Sequence, residues 1–209
     1  MNHLAHLALA GDDDGLLVGG FLGDFVKGRL RGERRVEVER GIRLHRHIDH
    51  FTDHHPTVTA LRQGFPQETR RVAGIALDLM FDHQLAVAFE TFYPEPLGTF
   101  EQTTFTRLLN PKHLADYPEV ALAQCRAMSQ RSSLQRTADS DFVRRSLTWI
   151  RTRLHQGETL LTDSIIEQIH DLEPVILPHF VSFYTELTAE VGRTIRTFSQ
   201  EASNNIPRG

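Results

Sequence analysis

From Gly41 to Pro56 the chain reads GIRLHRHIDHFTDHHP, five histidines and two aspartates in sixteen residues. Side chains of these types hold metal ions and move protons. On a helix, His45, Asp49 and Asp53 follow one another at i, i+4 and i+8 and share a face, where an imidazole and carboxylates can reach one cation. The plainer alternative is a solvated polar face. A second cluster argues against it for the set as a whole. In ETRRVAGIALDLMFDHQL, Glu68 to Leu85, Asp78 and Asp82 recur at i, i+4 among Ile75, Leu77, Leu79, Met80, Phe81 and Leu85. Buried carboxylates are costly unless paired, hydrogen-bonded or bound to a cation.

The elements that must position these groups follow from periodicity and breakers. Asn2 to Ala10 reads as a short helix with Leu4, Leu7 and Ala8 on one side, and His6 can face inward beside Asn2 or His3. Gly11 to Gly15 reads as a turn. Leu16 to Gly28, LLVGGFLGDFVKG, contains one acid, Asp24. A glycine inside a helical pattern costs about 1 kcal/mol relative to alanine, so Gly19, Gly20 and Gly23 point to close helix packing or to backbone approach to a ligand. Arg29 to Arg40 reads as a charged loop leading into the histidine-rich helix. Pro56 opens a short helix that Gly64 and Pro66 end, and Gln67 to Phe89 reads as one long helix. Further helices are expected over Gly98–Leu109, Pro118–Gln130, Asp141–Leu154 with Ser140 as its cap, Gly157–Asp171, and from Pro174 onward with a kink at Pro178. The helical period dominates, which predicts an all-α fold. The expected organisation is one domain over 1–203, built as a helical bundle, and a disordered tail over 204–209.

Composition excludes several classes. A net charge of −4 gives no basic excess for nucleic acid, and the single Cys125 forms no intramolecular disulfide and fits a reducing compartment. The opening MNHLAHLALAGDDDG lacks the basic region of a signal peptide. No apolar run approaches the ~20 residues needed to span a bilayer. A soluble, cytoplasmic protein is therefore expected. No GxxxxGK[ST] loop, GxGxxG turn or GxSxG elbow is present. Eight of twelve histidines and eight aspartates lie in the first 83 residues. Imidazole with carboxylate suits Mn²⁺, Fe²⁺, Mg²⁺ or Zn²⁺, and the weight of carboxylates leans toward Mn²⁺ or Mg²⁺. Metal-assisted hydrolysis is the sharpest expectation, the ion polarising a phosphoryl oxygen and acidifying its water.

Four blocks together, NHLAHLALA, GGFLGDFVKG, GIRLHRHIDHFTDHHP and ETRRVAGIALDLMFDHQLA, resemble the acyl carrier protein phosphodiesterases. The resemblance covers much of residues 1–90. It implies an all-α, HD-domain-like protein that cleaves the phosphodiester joining 4′-phosphopantetheine to a serine of acyl carrier protein, with a divalent ion, Mn²⁺ first. In the HD-type phosphohydrolases the adjacent pair is His-Asp, whereas here it is Asp82-His83, in reversed order. Carried over by residue, the resemblance puts Asp24 first as metal ligand or base for the metal-activated water. Asp82 and His83 come next, then Asp78, His45, Asp49 and His6. The expected metal ligands are thus His6, Asp24, Asp49, Asp78, Asp82 and His83, with His45 or His83 protonating the departing serine oxygen. His3, His47, His50, His54 and His55 fall outside the pattern and are expected at the surface. Arg43, Arg46, Arg70 and Arg71 are candidates for the phosphate, since guanidinium binds phosphate oxygens bidentately. Arg29, Arg31, Arg34 and Arg35 would dock the acidic carrier protein. Two other readings remain: an HD-like phosphohydrolase acting on a nucleotide or other small diester, and a non-catalytic helical binding protein.

Overall fold

A computed structural model describes residues 2–204, and among them every regular element is helical. The helices are α1 (His3–Leu9), α2 (Asp14–Leu22), α3 (Val36–His54), α4 (Pro56–Gly64), α5 (Ala73–Val87), α6 (Phe89–Phe92) and α7 (Leu97–Leu108). They continue with α8 (Glu119–Gln130), α9 (Phe142–Arg151), α10 (Gly157–Leu160), α11 (Asp163–Asp171), α12 (Glu173–Ile176) and α13 (Phe180–Asn204). The fold is an all-α single domain. Its helix α13 includes Asn204, the first residue of the expected tail; residues 205–209 lie outside the described residues.

The boundaries follow local chemistry. Asp13 caps α2 by accepting from the Leu16 N–H at 2.9 Å, so the expected turn closes two residues early. Pro56 occupies the first turn of α4, where its missing N–H is harmless. The long helix expected from Gln67 begins only at Ala73, after turns over 67–72. Asp141 rather than Ser140 precedes α9. Thr162 caps α11 through its hydroxyl, which divides the expected Gly157–Asp171 helix into α10 and α11. Pro178 sits in a 3₁₀ turn over Leu177–His179 that joins α12 to α13.

The core is organised on α2 and α5. Helix α2, DGLLVGGFL, is buried along most of its length, so it is apolar on all sides rather than on one stripe. It meets α3 backbone to backbone. A Cβ on Gly19 would stand 2.2 Å from the Val38 carbonyl oxygen and 2.6 Å from the Gly41 Cα. A Cβ on Gly41 would stand 2.7 Å from the Gly15 and Leu16 oxygens. The glycines therefore set the helix separation, resolving the first of the two sequence alternatives. On the far side of α5, Phe81 packs on Phe180 and Phe183 of α13 at centroid distances of 5.6 and 5.0 Å.

Gly19→Ala should cost more than 2 kcal/mol of stability, roughly the cost of overpacking a close-packed core. Gly64→Ala, where nothing lies within 4 Å, should stay within about 0.5 kcal/mol. Chemical denaturation of the two variants beside the parent checks the contrast.

Candidate metal centre and its relatives

The α2–α3 contact sets the first ligand. Gly23 continues the glycine seam, and a Cβ there would stand 2.1 Å from Cγ of His45. The His45 ring therefore lies flat against the end of α2, with Nδ1 2.8 Å from the Gly20 carbonyl oxygen. A carbonyl only accepts, so Nδ1 carries a proton and donates. That fixes which nitrogen faces the other way. Nε2 of His45 lies 3.2 Å from Asp49 Oδ2, one helical turn on, and 3.7 Å from Asp24 Oδ1.

Helix α1 supplies the second imidazole. His6 is buried and stacks on His45 with centroids 3.8 Å apart and planes within 16°. Its Nε2 lies 3.1 Å from Asp49 Oδ1, so the two oxygens of one carboxylate each face an imidazole. His6, His45 and Asp49 place one ligand atom each within 4.8 Å of one another. Asp24, about half exposed, borders the group and lies 3.5 Å from Nδ1 of His3. Arg46 donates to the Val26 carbonyl at 2.8 Å and holds the backbone that follows Asp24.

Burial and hydrogen bonding set the electrostatics of the group. Burial and the neighbouring His45 lower His6 to about 4, so its ring is neutral at physiological pH. Burial lowers His3 as well, against the pull of Asp24. Burial alone would raise Asp49, but hydrogen bonds to His45 and His6 outweigh it and hold the carboxyl well below its usual range. With Nδ1 of His45 donating to Gly20, a neutral His45 would point an Nε2 lone pair at two carboxylates. Only a proton or a metal ion between them relieves that repulsion. Two imidazole nitrogens with carboxylate oxygens suit a divalent first-row ion. The anchoring of His45 by a backbone carbonyl is the arrangement that orients metal-ligating histidines.

The remaining sequence candidates have other positions. Asp82 turns its oxygens to α1, accepting from the N–H groups of Asn2 at 3.1 Å, Leu4 at 2.8 Å and Ala5 at 3.4 Å. It thereby caps the helix that carries His6, satisfying donors that no intrahelical carbonyl can reach. Burial raises Asp82 to about 7 against those hydrogen bonds. His83 is buried with Nδ1 2.7 Å from the Thr137 carbonyl, and its ring stacks on Phe142. Asp78 is half-buried on α5 outside the His6–His45–Asp49 group. Asp53 pairs with Arg62 at 2.6 Å instead of completing the i, i+4, i+8 face.

The expected phosphate-binding arginines are spread out. Arg43 covers the Phe198 ring at 4.9 Å, Arg70 donates to the Gln63 and Phe65 carbonyls, and Arg71 is exposed. Arg34 and Arg35 are tied to Asp116, Arg35 at 2.7 Å, while Arg29 and Arg31 are exposed. Of the histidines expected at the surface, His50 and His54 are exposed and His47 pairs with Glu190 at 2.8 Å. The other two correct that expectation. His55 is buried, accepts from the Thr57 N–H and faces Glu186 at 3.2 Å. His3 is largely buried beside Asp24, with Nε2 3.3 Å from Gln124 of α8. Its i, i+3 relation to His6 was the signal in the sequence.

The family model for acyl carrier protein phosphodiesterase matches residues 1–187. The chain belongs to this family of phosphoric diester hydrolases. Curated relatives agree. Acyl carrier protein phosphodiesterases of Salmonella agona and Escherichia coli O6:H1 are each 32% identical over 197 residues, covering 92% of this chain and 98% of theirs. The Pectobacterium atrosepticum protein of the same name is 46% identical over 101 residues, 48% of this chain and 52% of its own. No solved structure matches. Among the described residues, no helix is long and apolar enough to cross a membrane.

Two opposed pH dependences should be measurable in the metal-free protein. Below the ordinary histidine value of 6.5 the unfolded chain takes up a proton that His6 refuses when folded, so stability falls as pH drops from 6.5 toward 4. Asp82 acts the other way: the folded chain keeps a proton that the unfolded one has lost, so stability falls as pH rises from 3.8 toward 7. In urea titrations across pH, His6→Gln should flatten the first slope and Asp82→Asn the second.

Proposed function

We propose that the chain hydrolyses the phosphodiester between 4′-phosphopantetheine and the serine of holo acyl carrier protein, releasing the apo protein, in a reaction that depends on a divalent ion. The observation that carries this is the convergence of His6, His45 and Asp49, bordered by Asp24, in a chain of the acyl carrier protein phosphodiesterase family. His6 Nε2, His45 Nε2 and Asp49 would hold the ion, with Asp24 as a further oxygen ligand. Mn²⁺ fits this nitrogen and oxygen set, and Mg²⁺ or Fe²⁺ are the alternatives. When bound, such an ion polarises a phosphoryl oxygen and acidifies water.

The chain's own groups then have distinct tasks. Asp24 is about half exposed and lies 3.5 Å from Nδ1 of His3 and 3.7 Å from Nε2 of His45, which suits it to take the proton of the attacking water. His3 stands 3.5 Å from Asp24 and can pass that proton to the departing serine oxygen. In this reading the role expected of His45 or His83 passes to His3, because Nε2 of His45 would hold the ion and His83 lies outside the His6–His45–Asp49 group. Asp82 acts through α1, holding His6 in place. The phosphorus–serine oxygen bond breaks as the water oxygen adds, and the phosphate leaves with the pantetheine.

Purified protein incubated with holo acyl carrier protein and Mn²⁺ should convert it to the apo form by intact mass. EDTA should abolish conversion and excess Mn²⁺ restore it. Asp49→Ala and Asp24→Ala should each lower kcat/KM by roughly 100-fold or more, in line with loss of a metal ligand or general base. Turnover of bis-p-nitrophenyl phosphate with the carrier protein left intact would instead identify a small-diester phosphohydrolase.

A further inference from the structure

A groove of about 600 Å³ begins at Asn2 and His3 and runs between α8 and α9 to Trp149 and Arg153. It shares His3 with the candidate metal centre, where the same ring meets Asp24 at one nitrogen and Gln124 of α8 at the other. Its lining mixes apolar Leu79, Met128, Phe142 and Ile150 with the hydroxyls of Ser133 and Ser146. Trp149, the chain's only tryptophan, is 57% exposed there, with the Arg153 guanidinium 4.3 Å above its ring. Leaving so large a ring in water forgoes burial that most tryptophans obtain, which marks a surface meant to be covered. Arg131 and Arg136 line the same groove and have no ion-pair partner among the described residues.

We propose that this groove seats the pantetheine arm of the substrate. The inference rests on the proposed phosphodiesterase reaction and names where the leaving half of the substrate lies. The volume falls in the range of small-molecule sites, roughly 300–1,000 Å³, and a helix of a carrier protein would need a flatter face. An arm of amide groups and methyl-bearing carbons needs apolar side chains with a few hydrogen-bonding groups among them, and the lining has both. Its start at His3 puts the phosphate end of the arm beside Asp24, and the Arg131 and Arg136 guanidinium groups in the lining complement that negative charge. The arm then lies along Phe142 toward Trp149.

Trp149 is itself the reporter. Pantetheine, which carries no phosphodiester, titrated into the chelator-treated full chain should shift tryptophan emission to the blue and saturate. Ser146→Leu, which adds bulk to the groove lining, should weaken that binding tenfold or more with helix content by circular dichroism retained. Absence of a shift, or an unchanged affinity in Ser146→Leu, would overturn the assignment. An equal shift on adding apo acyl carrier protein alone would also overturn it, in favour of a carrier-protein surface. Because no hydrolysis is read, pantetheine binding in a protein that leaves holo carrier protein intact would uphold the groove and reject the proposed reaction. Hydrolysis without pantetheine binding would do the reverse.

Discussion

Helices α2 and α3 approach so closely that no side chain fits between them at Gly15, Gly19 and Gly41, and the arrangement of the candidate site depends on that approach. Glycines in a helix forgo intrinsic stability, and here the return is position: the end of α2 becomes a flat backbone surface for the His45 ring. The Gly20 carbonyl then takes the Nδ1 proton, and Nε2 is left facing Asp49 and Asp24. A side chain at Gly23 would expel the ring before any ligand geometry could form.

The second imidazole is held by a different device with the same logic. Asp82 receives three backbone N–H groups at the start of α1, and α1 turns His6 onto His45. A carboxylate within an apolar helix thus does its work through the backbone of another helix. The stacked rings of His6 and His45 and the Asp49 carboxylate beside them form a partly buried group that borders Asp24. Its imidazole nitrogens and carboxylate oxygens are the donor types that suit a divalent ion.

The sequence made the fold class legible, since helical periodicity and proline or glycine breakers located most helices within a few residues. It was weaker where capping decided the outcome: Thr162 and the turns over 67–72 divided segments that periodicity alone would join. In the site, the i, i+4 relation of His45 and Asp49 is a property of one helix and was readable. Extending it to Asp53 was not justified, because Arg62 on the next helix captures that carboxylate. The pairing of Asp82 with the start of α1 spans about eighty positions and depends on tertiary packing. His3 and the α8–α9 groove were missed for the same reason, since only the docking of α8 brings Gln124 to His3. The four arginines expected at the phosphate, Arg43, Arg46, Arg70 and Arg71, turn to separate surroundings, because helices point side chains around a full circle.

The central claim is that the glycine seam fixes the His45 tautomer and so prepares a cation site. Long-range ¹H–¹⁵N correlation spectra of histidine-labelled protein, without metal and with diamagnetic Zn²⁺, test it most directly. The account predicts that Nδ1 of His45 stays protonated in both states, and that Nε2 of His45 and of His6 shift together on addition of the ion. An Nδ1 of His45 without a proton, or Nε2 resonances that ignore the ion, would contradict it.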